Sequence, residues 1–222
     1  MYEHYVAYVA VGFSCILCFS QLAALGTLRA AKKAGVNFSS LPYLVALGNS
    51  ILWLKYGMLK MDTFILLSNG LGIATSMVVV YYCWNYSIRR GEVEQGLVTI
   101  LALCALCFIY VDHSTSIKAE DNFGVIASMS SMAFFFAPLS QVRQIIIKKD
   151  ASSLIPAITA ASFGNTLLWT IYGMSLSDLH ILIPNAVGLV LSSIQCLLVI
   201  LYRNSSGVQR QVEERIAMTA LA

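Results

Sequence analysis

Residues 53–72 read WLKYGMLKMDTFILLSNGLG, and residues 169–188 read WTIYGMSLSDLHILIPNAVG. The second stretch repeats the first at a step of 116 residues. Trp53 is matched by Trp169, Tyr56-Gly57-Met58 by Tyr172-Gly173-Met174, Asp62 by Asp178 and Asn69 by Asn185. Upstream, Gly48-Asn49 pairs with Gly164-Asn165 and Leu52 with Leu168, while KKAGVNFSSLPY (32–43) resembles KKDASSLIPA (148–157) across a small gap. One supersecondary unit is written twice, so the fold depends on what one copy forms and how two copies face each other.

Each copy reads as membrane helices. Of the 222 residues, 58% are hydrophobic and 11% charged, with a mean hydropathy of +0.75. A soluble domain carries roughly 25% charged residues. Here the charges lie between long apolar runs, the pattern of a polytopic membrane protein. Seven runs can cross: 5–28, 41–59, 63–84, 97–111, 123–147, 154–175 and 179–202, the fourth being the shortest. When seven spans are threaded, eleven of the fourteen basic residues fall on one side and Lys55, Lys60 and Lys118 on the other. The basic side is expected to be cytosolic, with the N-terminus outside and the C-terminus in the cytosol. The sequons at Asn37, Asn85 and Asn204 then lie on the cytosolic side, and no N-glycan is expected.

Composition also narrows the function. The opening MYEHYVAYVAVGFS has no basic n-region and no small-residue cleavage site after it, so it is expected to be a first span rather than a removable leader. A net charge of +3 offers no basic patch for nucleic acid. The six cysteines lie in or at the ends of apolar runs. Cys15/Cys18 and Cys104/Cys107 have no histidine nearby and suit packing better than a metal or redox site. No cofactor is expected.

Three spans per half with an odd one between them give residues 1–90 as a first repeat and 91–122 as a linker helix with an outer loop. Residues 123–203 form the second repeat and 204–222 a cytosolic tail, flexible or weakly helical, to which no role is assigned. An odd linker leaves both repeats pointing the same way. The expected fold is an all-α membrane protein of seven transmembrane helices, arranged as two parallel three-helix bundles joined by a linker helix. Such bundles set equivalent residues opposite each other across one central path, which suits a transporter better than a receptor.

Depth assigns the chemistry of that path. Trp53 and Trp169 precede the outer ends of spans two and six by a turn or two, and Asn69 and Asn185 lie a similar depth inside spans three and seven, roughly 9 Å down at 1.5 Å per residue. An indole face stacks on the C–H faces of a sugar ring, and an amide both donates to and accepts from hydroxyls. No Asp, Glu, Lys or Arg lies deep in any span, so a neutral, polyhydroxylated solute fits. Taken singly, the tryptophans also suit interfacial anchors and the asparagines interhelical hydrogen bonds. Their matched spacing favours the path.

Asp62 and Asp178 read as solvated loop charges, Lys55 as snorkelling to the outer headgroups, and His4, His113 and His180 as surface histidines. Pro138, inside span five, invites a kink, whereas Pro42 and Pro156 open spans two and six. Pro184 is expected to break its helix locally and aim Asn185 inward.

LPY at Pro42, LW and W followed by YG, APLSQV around Pro138 and IPNAVG around Pro184 resemble the SWEET family of sugar transporters, also called MtN3/saliva. The resemblance covers nearly the whole chain apart from the tail. It implies bidirectional, facilitative uniport of a mono- or disaccharide by alternating access, with no enzymatic activity. Substrate binding by Asn69, Asn185 and Trp169 follows from it, with Trp53 at a span-two position that is small in many plant members. A second indole narrows the cavity, so glucose is expected over sucrose. The resemblance further implies an outer gate of Tyr56, Gly57, Tyr172, Gly173 and Asp178, and hinge prolines Pro42, Pro138 and Pro156. Span one departs from the family, carrying Gln21 or Leu22 where relatives have a proline, so the first half is expected to bend less, or at Gly26. The implied partners are a small neutral sugar, the bilayer and further copies of the chain as a homo-oligomer. The plasma membrane is the first expectation for location, the Golgi or another endomembrane the second.

Two other classes lack their marks. A PQ-loop amino-acid carrier would have a Pro-Gln pair in each half, but Leu139 follows Pro138 and Ser20 precedes Gln21. A seven-span receptor would have Asp-Arg-Tyr after span three, where this chain has NYSIRR, and its halves would not repeat. No nucleophile–base pair or ligand cluster suggests an enzyme.

Overall fold

The computed structural model describes residues 2–36, 38–112 and 116–220, giving the backbone only for residues 2, 112, 116–118, 136–138 and 203–220. Among the described residues the helices are α1 (Tyr2–Ser20), α2 (Ala24–Ala34), α3 (Leu41–Leu59), α4 (Thr63–Tyr86), α5 (Arg90–Asp112), α6 (Ser116–Phe134), α7 (Phe136–Lys148), α8 (Pro156–Ser175) and α9 (Leu179–Ala220). A 3₁₀ turn at Gln21–Ala23 joins α1 to α2, and a single turn residue, Phe135, separates α6 from α7. Counted as rods, these are seven transmembrane helices.

Five stretches, Glu3–Ala34, Thr63–Tyr86, Arg90–Val111, Ala119–Lys148 and Leu179–Tyr202, are long and apolar enough to cross a bilayer. The other two rods, α3 and α8, carry Asn49, Ser50, Asn165 and Thr166 at mid-helix. They are the inner helices: α3 packs on α4, α5 and α6, and α8 on α1 and α9. Leu103, Leu106 and Ile109 of α5 and Leu197 and Ile200 of α9 are exposed, an apolar exterior that lipid covers.

The halves interlock. The first span of each lies on the second span of the other, α1 against α8 and α6 against α3. A buried cluster containing Tyr56, Ile65, Phe123, Tyr172 and Ile181 ties the two together.

At the end expected to face outside, each inner helix turns into the next span through the same C-terminal motif. Asp62 N–H bonds to Gly57 O and Asp178 N–H to Gly173 O, both at 2.9 Å, with Met61 (φ 55°) and Ser177 (φ 54°) in the left-handed region. This pairing of the last carbonyls with backbone N–H groups ends a helix without buried orphans.

Several expected boundaries change. The fourth span starts at Arg90 instead of 97, because its polar first turns wind helically with Val93 buried and Glu94 accepting from Trp84 Nε1 at 2.6 Å. The fifth starts at Ser116 instead of 123, which puts Glu120 and Asp121 on a helix. It breaks at Phe135, three residues before Pro138, whose missing N–H leaves the Phe134 carbonyl without its helical donor. The Pro138 side chain itself lies outside the described residues.

Span one tightens at Gln21–Ala23 without a proline, and α2 runs through Gly26 unbroken. Nor does α9 break at Pro184. The carbonyl that proline cannot serve, His180 O, instead accepts from Ser128 Oγ at 2.9 Å. Pro42 and Pro156 sit in the first turns of α3 and α8. The α9 backbone stays helical into the tail as far as Ala220.

Candidate functional site

Two aspartates organise the end where the inner helices turn. Asp62 Oδ1 accepts from the N–H groups of Phe64 and Ile65 at 2.9 and 3.1 Å, and Asp178 Oδ1 from those of His180 and Ile181 at 3.0 and 3.2 Å. Each carboxylate thus caps the helix that follows it. The second oxygen of each reaches the other half: Tyr56 Oη donates to Asp178 Oδ2 and Tyr172 Oη to Asp62 Oδ2, both at 2.7 Å. The two aspartates are therefore not solvated loop charges, and the Asp178 side chain is only 2% exposed. Gly57 and Gly173 let the helices approach, since a Cβ on Gly57 would come 2.9 Å from Ile65 Cγ2 and one on Gly173 2.7 Å from Leu182 N.

The layer is symmetric in shape but not in charge. Lys60 Nζ lies 2.8 Å from Glu120 Oε1 and 3.3 Å from Asp178 Oδ2. At the position matching Lys60, the second half has Leu176. Partial burial pulls the Lys60 ammonium pKa down, but its bonds to Glu120 and Asp178 more than offset this and hold it above the ordinary lysine value. His180 Nε2 lies 2.8 Å from Asp121 Oδ1 with its side chain 22% exposed, so it is not a plain surface histidine. His113 lies outside the described residues. Lys55 Nζ stands 5.6 Å from the centre of the Phe108 ring, its ammonium held against an aromatic face. Sequence reading missed Lys60 and Glu120 because a loop glutamate gives no sign of where it points.

Below this layer lies a cavity of about 230 Å³ lined by residues of both halves. Trp53, Asn69, Trp169 and Asn185 all border it, as do Asn49 and Asn165. Both indoles are nearly buried, and each N–H is bonded across the halves: Trp53 Nε1 to Ser131 Oγ at 2.8 Å and Trp169 Nε1 to Ser14 Oγ at 3.0 Å. The serines pass the bond on, Ser131 to Asn49 Oδ1 at 3.1 Å and Ser14 to Asn165 Oδ1 at 2.7 Å. Each indole N–H is thereby occupied by protein.

The four amides face opposite ways. Asn69 Nδ2 donates to Ile65 O at 2.9 Å and Asn185 Nδ2 to Ile181 O at 2.7 Å. Their Oδ1 atoms have no protein donor among the described residues, so this level of the cavity offers acceptors. Asn49 and Asn165 have their oxygens satisfied by the serines, so that level offers donors. Acceptors, donors and two indoles, with no ionised group in the lining, can hold a neutral hydroxylated molecule. The matched Gly-Asn pairs in the sequence carried a signal for Asn49 and Asn165. Nothing marked Ser14 and Ser131, which repeat at a step of 117 rather than 116.

Known proteins bear on this arrangement. A family described as "Sugar efflux transporter for intercellular exchange" matches residues 4–91 and 121–207, one stretch in each half. The chain is 32% identical over 191 residues to the "Bidirectional sugar transporter N3" of Medicago truncatula, covering 83% of this chain and 70% of the relative. It is 30% identical over 182 residues to the "Sugar transporter SWEET1" of Drosophila pseudoobscura pseudoobscura, covering 79% and 80%. The fold is similar to a solved eukaryotic SWEET transporter, with a TM-score of 0.82 at 21% identity over 91% of this chain and 99% of that one. The family is one of transporters, not enzymes, and both of its matched stretches contain a tryptophan and an asparagine that border the cavity: the chain belongs to the SWEET (MtN3/saliva) family.

Proposed function

We propose that this protein is a bidirectional uniporter that moves a small neutral sugar across its membrane by alternating access, with Trp53, Asn69, Trp169 and Asn185 as the substrate site. The observation that carries the reading is the cavity itself: paired amides and indoles from both halves, an uncharged lining and closure at one end. Its volume lies below the about 300–1,000 Å³ typical of sites for drug-sized ligands, which favours a monosaccharide such as glucose. With both indole N–H groups occupied by serines, the rings offer faces to a sugar and the amides supply polar specificity.

Tyr56, Gly57, Tyr172, Gly173 and Asp178 form the outer gate in this reading, and Asp62 and Lys60 join them. The Tyr56–Asp178 and Tyr172–Asp62 bonds support reading it as closed. Pro42, Pro138 and Pro156 serve as hinges, and the 3₁₀ turn at Gln21–Ala23 takes that role in span one. Residues 1–90 and 123–203 are the moving halves, 91–122 the linker and 204–222 the tail. The plasma membrane, with the N-terminus outside, and assembly as a homo-oligomer complete the proposal.

The test is radiolabelled glucose uptake in cells lacking their own hexose carriers, comparing wild type with Asn69→Ala and Asn185→Ala. Uptake by wild type and its loss in both variants at equal surface expression is expected. Full retention in both variants would remove the site assignment, and no uptake of any sugar by wild type would remove the function.

A further inference from the structure

The gate is built on two matched seats, and one of them is titratable. The Ser14–Ser131 match sets the register between spans one and five at 117 residues, which pairs His4 with Asp121, while the 116-residue step pairs Phe64 with His180. In the first half the Phe64 ring meets the Tyr172 ring edge-on, with centroids 6.0 Å apart at 78°, and His4 covers it at 5.7 Å. In the second half the His180 ring meets Tyr56 at the same 6.0 Å and 78°, and Asp121 Oδ1 covers it at 2.8 Å from Nε2. Packing asks only for a ring in that seat. An imidazole adds a charge that can be switched.

Where that charge falls decides what it does. A bond from His180 to Asp121 joins α6 to α9, both in the second half, and by itself does not distinguish open from closed. Across the gate, the first half presents Lys60 and Tyr56. His180 meets Tyr56 of α3, Asp121 of α6 and Asp178 at the head of its own helix, and Lys60, the residue after α3, and Glu120 of α6 join this cluster through the Lys60–Asp178 and Lys60–Glu120 contacts. With His180 neutral, Lys60 closes onto the face formed by Glu120 and Asp178, with Asp121 beside Glu120 on the same helix. With His180 protonated, that face loses one unit of negative charge, and Asp121 is engaged by the imidazolium. Closure draws Lys60 to this face, so protonation weakens the closed state and leaves the open one largely unaffected.

We propose that His180 is a pH-responsive positioning residue of the outer gate, whose protonation loosens the hold of the second half on Lys60 and so favours opening at acidic pH. The inference rests on the gate assigned above. Histidine changes charge between about pH 5 and 8, and a partly exposed ion pair changes an equilibrium by about two- to fivefold.

The test reads gate distance, not transport. Spin labels on Met61→Cys and Ser177→Cys, the turn residues of the two halves, are placed in a chain whose native cysteines are replaced and which is reconstituted in nanodiscs. Pulsed electron–electron resonance then gives the ratio of long to short distances. From pH 7.5 to 5.5 that ratio is expected to rise about two- to fivefold with His180 present. His180→Phe, which installs the first-half residue in the same seat, is expected to remove the response, and Lys60→Gln to remove it by deleting the charge on which His180 acts. Two populations whose ratio ignores pH, moves the other way, or responds equally in His180→Phe would overturn the inference alone. A single distance in every variant overturns the gate and the inference together, whether or not the protein carries sugar.

Discussion

Tyr56 and Tyr172 donate to opposite aspartates at the same 2.7 Å, yet among the described residues only Asp178 also has a cation within reach. Tyr56→Phe leaves Lys60 on Asp178 Oδ2, and Lys60→Gln leaves the tyrosine. Both changes together leave that oxygen without a donor on a side chain only 2% exposed, and an unpaired buried charge is far costlier than one lost bond. The double variant is therefore expected to lose more stability than the sum of the singles, with a coupling of about 0.5–3 kcal/mol. Melting temperatures of the solubilised protein check this, and additive shifts would count against it. The sign for pH follows from the raised Lys60 pKa. Its contribution is complete below the ordinary lysine value of 10.5 and is lost as pH rises through the elevated one, so alkaline but not neutral buffers should weaken its hold on Glu120 and Asp178. At this scale the sequence was legible wherever residue types are rare. Two tryptophans and two asparagines at one spacing stand out. Ser14 and Ser131 do not, because serine is common and their repeat step differs by one.

The turns after α3 and α8 show what a helix end demands. Met61 and Ser177 both adopt a left-handed backbone, where a side chain costs roughly 1–2 kcal/mol that glycine avoids. Met61 is 87% exposed and makes no buried contact to lose, so Met61→Gly is expected to raise the melting temperature. An unchanged or lower value would show that the loop conformation is not strained. The matched glycines one turn earlier behave differently. Alanine at 173 would press on the Leu182 backbone from 2.7 Å, whereas alanine at 57 meets side-chain atoms alone and from slightly farther, Ile65 Cγ2 at 2.9 Å and Cβ at 3.1 Å and Leu66 Cδ2 at 3.2 Å. Gly173→Ala should cost about 1–3 kcal/mol and Gly57→Ala less. Equal losses would argue against this account. Hydropathy located every rod, but not the starts of α5 and α6. Their charged first turns look like loop in one dimension, and only the wound α6 brings Glu120 to Lys60 and Asp121 to His180.

The whole molecule sets the size of its cargo. Two indoles from opposite halves and a cavity of about 230 Å³ leave little room for a second sugar ring. Glucose uptake should exceed sucrose uptake several-fold in reconstituted vesicles, and Trp53→Ala should narrow the gap. Equal rates in wild type would sink the size argument. The native chain should show no glycosidase-sensitive mobility shift if its sequons fall on the cytosolic side, as the distribution of basic residues leads one to expect. The two-half architecture was legible because the repeat is long and ordered, whereas the interlocking of α1 with α8 and α3 with α6 was not, since periodicity says nothing about which faces meet.

That interlocking has a consequence for chain continuity. The bonds from Trp53 to Ser131 and from Trp169 to Ser14 fasten each half to the other through the cavity wall, while α5 packs on α3, α4 and α6. The peptide connection through the linker is thus a tether, not the clasp. Cut in the 113–115 stretch and co-expressed as two polypeptides, the pieces should find each other in the bilayer and co-purify. Each piece alone carries indole N–H groups and amides whose partners lie on the missing one.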